Sequence, residues 1–233
     1  MSVTEILHGT PYKSMGAAQV APPAGIADLS RFEDHGTFGA GAAAPAWRIL
    51  PSNRWVLYHD GGDYTDFGAI ATGSPLILGI SPMTVIVYIN SDSVANNRHV
   101  ISNWAVGGGD LIGEIAIRQV AGGGILFRRK TAAGTGTSIT TAVAPLAGRW
   151  YQVACVWDGT TYYIYTNGQL NNSGAGAIGG FAGGATNLYL GCFTGPAEYW
   201  LGYIDPEVII LKRAMSAGEV ATDYQEKRGY FGV

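Results

Sequence analysis

The sequence is short of charged side chains and of cysteine, and both shortages exclude classes of protein. Only 13% of the residues are charged, against roughly 25% in an average globular domain. The formal net charge of −3 gives no basic surface for nucleic acid or for an anionic membrane. The two cysteines, Cys155 and Cys192, are too few for a disulfide scaffold or a cysteine-based zinc site. Both are predicted to be buried free thiols, with one bridge as the alternative if their strands face each other.

Long apolar runs and a secretory signal are missing too. No stretch is long and apolar enough to span a bilayer. The first residues, MSVTEILHGTPYKSMG, contain no basic segment followed by an apolar one, so no signal peptide is predicted. The chain would then stay where it is made, or reach a virion or extracellular surface by another route, such as lysis. A third alternative is that the sequence is a mature or recombinant form.

Glycine and aromatic side chains, in contrast, are plentiful. The 35 glycines are about twice the average share, which favours many tight turns and hence many short strands. Disorder is the competing interpretation of so much glycine. The six Trp, thirteen Tyr and seven Phe argue against disorder, because they supply a large apolar area to bury.

Alternating side chains, broken by turns, predict the strands. In RWYQVACVW (149–157) the odd-numbered residues from Tyr151 to Trp157 take one face and the even-numbered residues the other. Residues 171–186, nearly all Gly, Ala, Ser and Asn, predict a long loop. The other predicted strand segments are two within 52–68, then 83–91, 98–106, 114–120, 125–131, 161–168, 187–193 and 203–213, where Pro206 indicates an edge or a bulge.

One helix is predicted near the C-terminus. Ser216 and Glu219 form a capping box, in which the serine hydroxyl accepts from the Glu219 amide and the carboxylate reaches back. Val220, Tyr224 and Lys227 follow at helical spacing, so a helix of three turns or fewer is expected. The whole pattern predicts an all-β fold: a two-sheet antiparallel β-sandwich, or jelly roll, with one short C-terminal helix.

The domain organisation follows from a change in amino-acid composition near residue 28. Residues 1–27 are rich in Ala, Gly and Pro and are predicted to form an extended N-terminal arm. Residues 28–233 are predicted to form a single sandwich domain. Such an arm can dock onto capsid or other assembly subunits, which predicts a homo-oligomer or a part of a larger assembly.

Three runs of residues, taken in order, carry a family resemblance. They are RWYQVACVWDGTTYYIYTNG (149–168), NLYLGCF (187–193) and GYIDPEVIILKRAMSAGEVATDY (202–224). Together with DLSRFEDHGTF (28–38), they resemble the laminin-G/pentraxin-like branch of the concanavalin A-like lectin and glucanase superfamily. The resemblance implies a concanavalin A-like sandwich. It says little about the ligand, because one fold carries many functions.

Two departures from that family concern metal and catalysis. Calcium-binding pentraxins have a Glu-Gln-Asp type cluster after the late strand, whereas this chain has residues 193–198, FTGPAE. The glucanase members carry Glu-x-Asp-x-Glu along one strand, which this chain does not reproduce. The resemblance therefore implies neither a metal site nor a cofactor nor catalytic residues, and the chain is not predicted to be an enzyme.

The candidate glycan-binding residues are aromatics beside polar groups in expected exposed loops. They are Trp104 with Asp110, and Tyr199 with Trp200. An aromatic ring stacks on the apolar face of a sugar and buries area at little entropic cost. The alternative is that these aromatics fill the core or the rim of the sandwich.

Other groupings of polar residues have structural interpretations. Asp205-Pro206-Glu207 places two carboxyls on one strand face, as a glycosidase would, but a structural role is favoured. Asp60, Asp63 and Asp66 surround a glycine turn and are either hydrogen-bonded turn residues or calcium ligands. The four histidines, His8, His35, His59 and His99, show no metal spacing, and Arg128-Arg129-Lys130 is predicted to be a solvated strand end.

Three functions remain open at this point. The first is a non-enzymatic binding or display module, such as a bacteriophage virion decoration or adhesion protein, which contacts a glycan or a protein surface. The second is a soluble carbohydrate-binding lectin. The third is a glycoside hydrolase.

Overall fold

The computed structural model describes residues 5–10, 25–28, 35–69, 81–104, 115–130, 136–176, 187–193 and 197–233. The described chain is almost entirely strand, with a 3-10 turn at Gly41–Ala43 and one α-helix. The elements are β1 (Glu5–Thr10), β2 (Gly25–Asp28), β3 (Gly36–Phe38), β4 (Ala46–Ile49), β5 (Trp55–Asp60), β6 (Thr65–Ala69), β7 (Met83–Ser91), β8 (Arg98–Ser102), β9 (Ile115–Gln119), β10 (Ile125–Lys130), β11 (Gly136–Thr140), β12 (Trp150–Trp157), β13 (Thr161–Thr166), β14 (Gln169–Ala175), β15 (Asn187–Leu190), β16 (Leu201–Ile204), β17 (Ile209–Leu211) and α1 (Ala217–Phe231).

The strands form two antiparallel sheets. Sheet A has the order β4-β5-β16-β7-β12-β13-β14, and β17 continues the line of β16 beside β7. Sheet B has the order β2-β3-β6-β15-β8-β9-β10-β11. β1 pairs with both β17 and β2 and so joins the two sheets along one edge. The predicted two-sheet antiparallel sandwich with one C-terminal helix is confirmed.

The core lies between the sheets, and a second apolar cluster lies under the helix. The alternation predicted for β12 is confirmed: Val153, Cys155 and Trp157 face the core between the sheets. Ala154 and Val156 face the opposite way, into the cluster that α1 covers. Sheet A is therefore buried on both faces along β12, which explains why nearly every residue of that strand is apolar.

The last predicted strand, 203–213, is divided into β16 and β17. The interruption falls at Pro206, which has no backbone N–H to donate to the ladder. At the start of β16, Gly202 has a φ of 128°, and a Cβ there would clash with the carbonyl oxygen of Asn90. This position therefore requires glycine, because β16 approaches β7 too closely for any side chain.

The helix has the predicted cap but is longer than expected. Ser216 accepts from the Glu219 amide, and the Glu219 carboxylate accepts from the Ser216 amide at 2.8 Å. The helix runs for 15 residues, about four turns, and ends at Gly232, which is left-handed with a φ of 69°. The last turn is held by Phe231, whose ring stacks on that of Tyr88 with 4.5 Å between their centres. Within the described residues, no helix is long and apolar enough to cross a bilayer.

Removal of the cap should destabilise the protein modestly. We expect Ser216→Ala to lower the free energy of unfolding by about 1 kcal/mol, because the Glu219 amide loses its acceptor. Urea denaturation would measure the change. Ser173→Ala, at an exposed position of β14, is the control and should stay within about 0.5 kcal/mol of wild type. A Ser216→Ala protein as stable as this control would contradict the role of the cap.

Two local predictions are wrong. The first five residues of the predicted loop 171–186 belong to β14, which forms a hairpin with β13 across the Asn167-Gly168 turn. Residues 177–186 lie outside the described chain. Arg129 is not a solvated strand end: it is 1% exposed, and its guanidinium lies 4.7 Å from the ring centre of Trp157. Strand alternation turns Arg129 inward and leaves Arg128 outside.

The predicted arm lies mostly outside the described residues. Of residues 1–27, the structure describes β1 and the first part of β2, and both pair with strands of the sandwich. The boundary between an arm and a domain at residue 27 stays a prediction, as does its docking onto other subunits.

Candidate functional site

A cleft of about 130 Å³ opens on the outer face of sheet B, away from the core. The register of the strands determines which residues form the floor of the cleft. His99 on β8 pairs with Arg118 on β9, which pairs in turn with Leu126 on β10. Because alternate residues share a face, Ala116 and Arg128 extend the same surface along the strands. The lining residues are His99, Trp104, Ala116, Arg118, Leu126, Arg128, Phe193 and Glu198.

One wall of the cleft is an arginine stacked on a tryptophan. The guanidinium carbon of Arg128 lies 4.2 Å from the ring centre of Trp104, a cation–π distance. The indole is only 9% exposed, so one of its faces is already covered. In this arrangement, Trp104 holds the guanidinium in position and offers little of its own surface to a ligand.

The opposite wall is a histidine, a glutamate and a second arginine. Oε2 of Glu198 lies 3.2 Å from Nδ1 of His99 and 3.5 Å from Nη1 of Arg118. Burial and, to a lesser extent, the positive charge of Arg118 together lower the pKa of His99 to about 3. His99 is therefore neutral near pH 7. Among the described residues, the charged groups that line this cleft are two guanidiniums and one carboxylate.

The backbone at Glu198 is strained. Its φ is 46°, in the left-handed region that non-glycine residues seldom adopt. The Glu198 carbonyl accepts from the backbone N–H of His99 at 2.9 Å, and Phe193 forms an isolated bridge with Ala197. These contacts hold the Glu198 carboxylate at the mouth of the cleft, where it is 39% exposed. Strain of this kind concentrates at binding sites.

The four predicted site residues fall in different places. Trp104 lines the cleft, but Trp200 is fully buried in the core, contrary to the exposed loop expected for it. Tyr199 is partly exposed, and its carbonyl accepts from Nη1 of Arg98 at 3.0 Å. Asp110 lies outside the described residues. The glycan-binding role of these residues stays a prediction.

Of the residues that line the cleft, only Trp104 was predicted from the sequence to bind a ligand. The others are His99, Ala116, Arg118, Leu126, Arg128, Phe193 and Glu198. The alternation in IAIRQ (115–119) could have placed Ala116 and Arg118 on one outer face. No sequence signal could have brought Glu198 to His99, because a loop contact across 99 positions depends on the whole sheet order.

The second polar cluster of the fold is structural. Arg54 donates to Asp205 at 2.7 Å and to Glu207 at 2.6 Å, and Asp205 is 0% exposed. Lys227 of α1 completes the cluster, with its amine 3.0 Å from Glu207 and 2.8 Å from Asp223. The Asp205-Pro206-Glu207 pair thus fastens the helix to sheet A, which agrees with the structural role favoured for it.

The aspartates around the glycine turn accept hydrogen bonds from their own turns. Asp63 accepts from the Asp60 amide at 2.7 Å, and Asp66 accepts from the Gly68 amide at 2.7 Å. Asp66 also binds the side-chain amide of Asn187 at 2.8 Å. Among the residues that the structure describes, no group of three or more His, Cys, Asp or Glu side chains is placed to hold a metal ion.

The two cysteines are free and buried. Cys155 lies in the core on β12, and burial raises its pKa far above the ordinary range of a thiol. Burial likewise raises the pKa of Cys192 to about 12. Both thiols are therefore protonated and unreactive at neutral pH.

The fold and the cleft together define a lectin-like jelly roll with a site on one sheet face. A laminin G family model of the concanavalin A-like lectin/glucanases superfamily matches residues 59–221. The chain belongs to that superfamily, as the resemblance implied. No curated protein matches the chain.

Solved structures with this fold include toxin binding domains. The binding domain of Paraclostridial Mosquitocidal Protein 1 has a TM-score of 0.72 at 12% identity, with 98% of this chain and 55% of that chain covered. The botulinum neurotoxin serotype G binding domain has a TM-score of 0.67 at 13% identity, covering 96% and 51%. A third structure is from botulinum neurotoxin type C, a toxin whose cell entry depends on interaction with two ganglioside molecules. It has a TM-score of 0.64 at 11% identity, with 96% of this chain and 51% of that chain covered. This chain spans about half the length of each.

Proposed function

We propose that the protein is a non-catalytic binding module that holds a glycan in the cleft on sheet B. The cleft itself carries this proposal: aromatic, cationic and carboxylate side chains converge there on a rigid sheet face. Sugar sites need this combination, in which apolar surface supplies contact area and a few polar groups fix orientation. The similar toxin structures are binding domains, and this supports the same class of function for the fold.

A hydrolytic function is supported less well by the same geometry. Most glycoside hydrolases use two carboxyl groups that flank the scissile bond. In the described part of the chain, one carboxylate lines the cleft, that of Glu198. The other pair considered, Asp205 and Glu207, is held by Arg54 next to the helix, and Asp205 is fully buried.

The test of this function is to fill the cleft without disturbing the core. We expect Leu126→Trp to weaken glycan binding at least tenfold, because the larger indole at this partly exposed position would occupy the cleft floor. A glycan array would first identify a binder, and titration calorimetry would then compare the affinities. Trp200→Ala is unsuitable, since it would open a cavity in the core and cost about 3–5 kcal/mol.

The matched control places the same bulky ring elsewhere. Ser173→Trp, exposed on β14 of sheet A, should bind glycan as the wild type does. Thermal unfolding of both variants would show that each is folded. An array without any signal, or equal binding by wild type and Leu126→Trp, would refute the proposed function.

Display on a virion or cell surface is a finer role that stays a prediction. Assembly through residues 1–27, a homo-oligomeric state and a virion or extracellular location belong to it. Native mass spectrometry of the full chain would test the assembly. A strictly monomeric protein would count against it.

A further inference from the structure

Three exposed aliphatic side chains lie together at one end of the sandwich. Val143 is 72% exposed, Leu146 56% and Leu170 55%, the highest values among the large apolar side chains that the structure describes. Val143 and Leu146 belong to the loop 141–149, which joins β11 to β12, and Leu170 is the second residue of β14. We call these three side chains the aliphatic patch.

The aliphatic patch is held in place by hydrogen bonds. The side chain of Asn171 accepts from the backbone N–H of Val143 at 3.1 Å and donates to the Val143 carbonyl at 2.9 Å. The backbone N–H of Leu146 donates to the hydroxyl of Tyr151 at 3.2 Å. Because Asn171 follows Leu170 directly, these contacts also join the loop to β14. The patch is therefore ordered before any partner arrives, which lowers the entropic cost of binding.

The loop and the strand that carry the patch contribute one positive charge and no negative charge. Arg149 is the last residue of the loop and is exposed. No aspartate or glutamate occurs in residues 115–157 or 159–197. Asp92 follows the neighbouring strand β7, but its carboxylate accepts from the Tyr58 hydroxyl on the outer face of sheet A. An arginine beside an apolar surface pairs with a lipid phosphate while the aliphatic side chains enter the headgroup and acyl boundary.

The size and the composition of the patch favour a lipid surface over a protein partner. Full burial of one aliphatic side chain removes roughly 60–120 Å² from water, so three side chains that are half to three-quarters exposed offer on the order of 200 Å². A stable protein interface buries about 800 Å² on each partner. Its hot spots are enriched in Trp, Tyr and Arg, and Leu and Val are under-represented there.

From these features we infer that the aliphatic patch is a lipid-docking surface, which inserts Val143, Leu146 and Leu170 into the interfacial region of a phosphatidylcholine bilayer. Insertion depends on apolar area and not on charge, so the formal net charge of −3 does not oppose it. An area of this size gives weak, reversible attachment, comparable to that of one myristoyl chain, which binds with a constant of about 10⁴ M⁻¹.

The first experiment measures flotation of the full chain with phosphatidylcholine vesicles. We expect the wild type to bind, and Val143→Ser and Leu146→Ser each to weaken binding about fivefold, because each removes roughly a third of the inserted area. The double variant should lose at least tenfold. Raising NaCl from 0.05 to 0.5 M should change binding less than about twofold, since salt screens charges and not apolar insertion.

The matched control removes an equally exposed aliphatic side chain elsewhere. Ile49 is 54% exposed and pairs with Trp55, the first residue of β5, at the opposite end of the sandwich. Ile49→Ser should therefore bind vesicles as the wild type does. Thermal unfolding of every variant would show that each is folded.

The second experiment reports which side chains enter the lipid. Cys155 and Cys192 are buried, so a thiol-reactive, polarity-sensitive dye would label the cysteine introduced by Leu146→Cys. Its emission should shift to shorter wavelength when vesicles are added. Ile49→Cys, labelled in the same way, should show no shift. This comparison remains decisive if a serine variant unfolds.

Three results would overturn the proposal: no flotation of the wild type, equal flotation of the wild type and the double variant, or no emission shift for labelled Leu146→Cys. A further result would assign the patch to another partner. If the wild type self-associates in analytical ultracentrifugation, the double variant does not, and neither floats, the patch is an interface between copies of the chain and the lipid proposal fails. The vesicles carry no glycan, so none of these results depends on the glycan proposed for the cleft.

Discussion

Replacing Arg54 with alanine should cost about 3–5 kcal/mol of stability. The loss is large because Asp205 is 0% exposed and Arg54 donates to both of its oxygens, at 3.0 and 2.7 Å. Burial disfavours the charged form of Arg54, but Asp205 and Glu207 outweigh it and raise the pKa of Arg54. Without Arg54, the Asp205 carboxylate would be left buried next to Glu207, a second negative charge.

Urea denaturation at pH 7 would measure this effect, with Arg149→Ala as the exposed control. Arg54→Ala/Asp205→Ala should cost less than the two single substitutions added together, because the double variant leaves no unpaired charge at position 205. Additive losses, or a loss below about 1 kcal/mol for Arg54→Ala, would show that this ion pair does not fasten β16 and β17 to β5.

Acidification should destabilise the fold through two buried histidines. Burial lowers the pKa of His59 to about 4, although the Asp63 carbonyl opposes the shift, and burial lowers that of His99 to about 3. The unfolded chain binds these protons near the ordinary value of 6.5. The contribution of the two neutral histidines to the free energy of unfolding is therefore fully present above about pH 6.5. It falls as the pH drops towards 4, by on the order of 3 kcal/mol for each histidine.

The decisive measurement is the slope of unfolding free energy against pH. Carboxylates also titrate in this range, so the comparison is between variants at each pH. His59→Gln and His99→Gln should each lose less stability than the wild type between pH 6.5 and 4.5, whatever their stability at pH 7. Parallel slopes for all three proteins would contradict this account.

Local signals made much of the sheet predictable. The two faces of β12 follow from strict alternation, and the capping box at Ser216 fixes the start of α1. Such features depend on neighbours a few residues away. The end of the helix was harder to place, because its last turn is held by Phe231 against Tyr88 and Trp150, which lie on distant strands.

The cleft was only partly predictable, for a topological reason. Trp104 was singled out as an aromatic beside polar residues, and it does line the cleft. The same criterion also selected Trp200, which the structure places in the core. Aromatic side chains both line clefts and fill cores. Only the order of β15, β8, β9 and β10 in sheet B decides which of these two positions a given ring takes.

The two buried thiols make the protein convenient for oriented attachment. Cys155 and Cys192 are both buried, and burial raises the pKa of each, so maleimide reagents should not modify the folded chain. A single introduced thiol, as in Glu226→Cys on the exposed side of α1, would then be the one reactive position. Because α1 covers sheet A, coupling through it would turn the outer face of sheet B towards the solution on a biosensor chip.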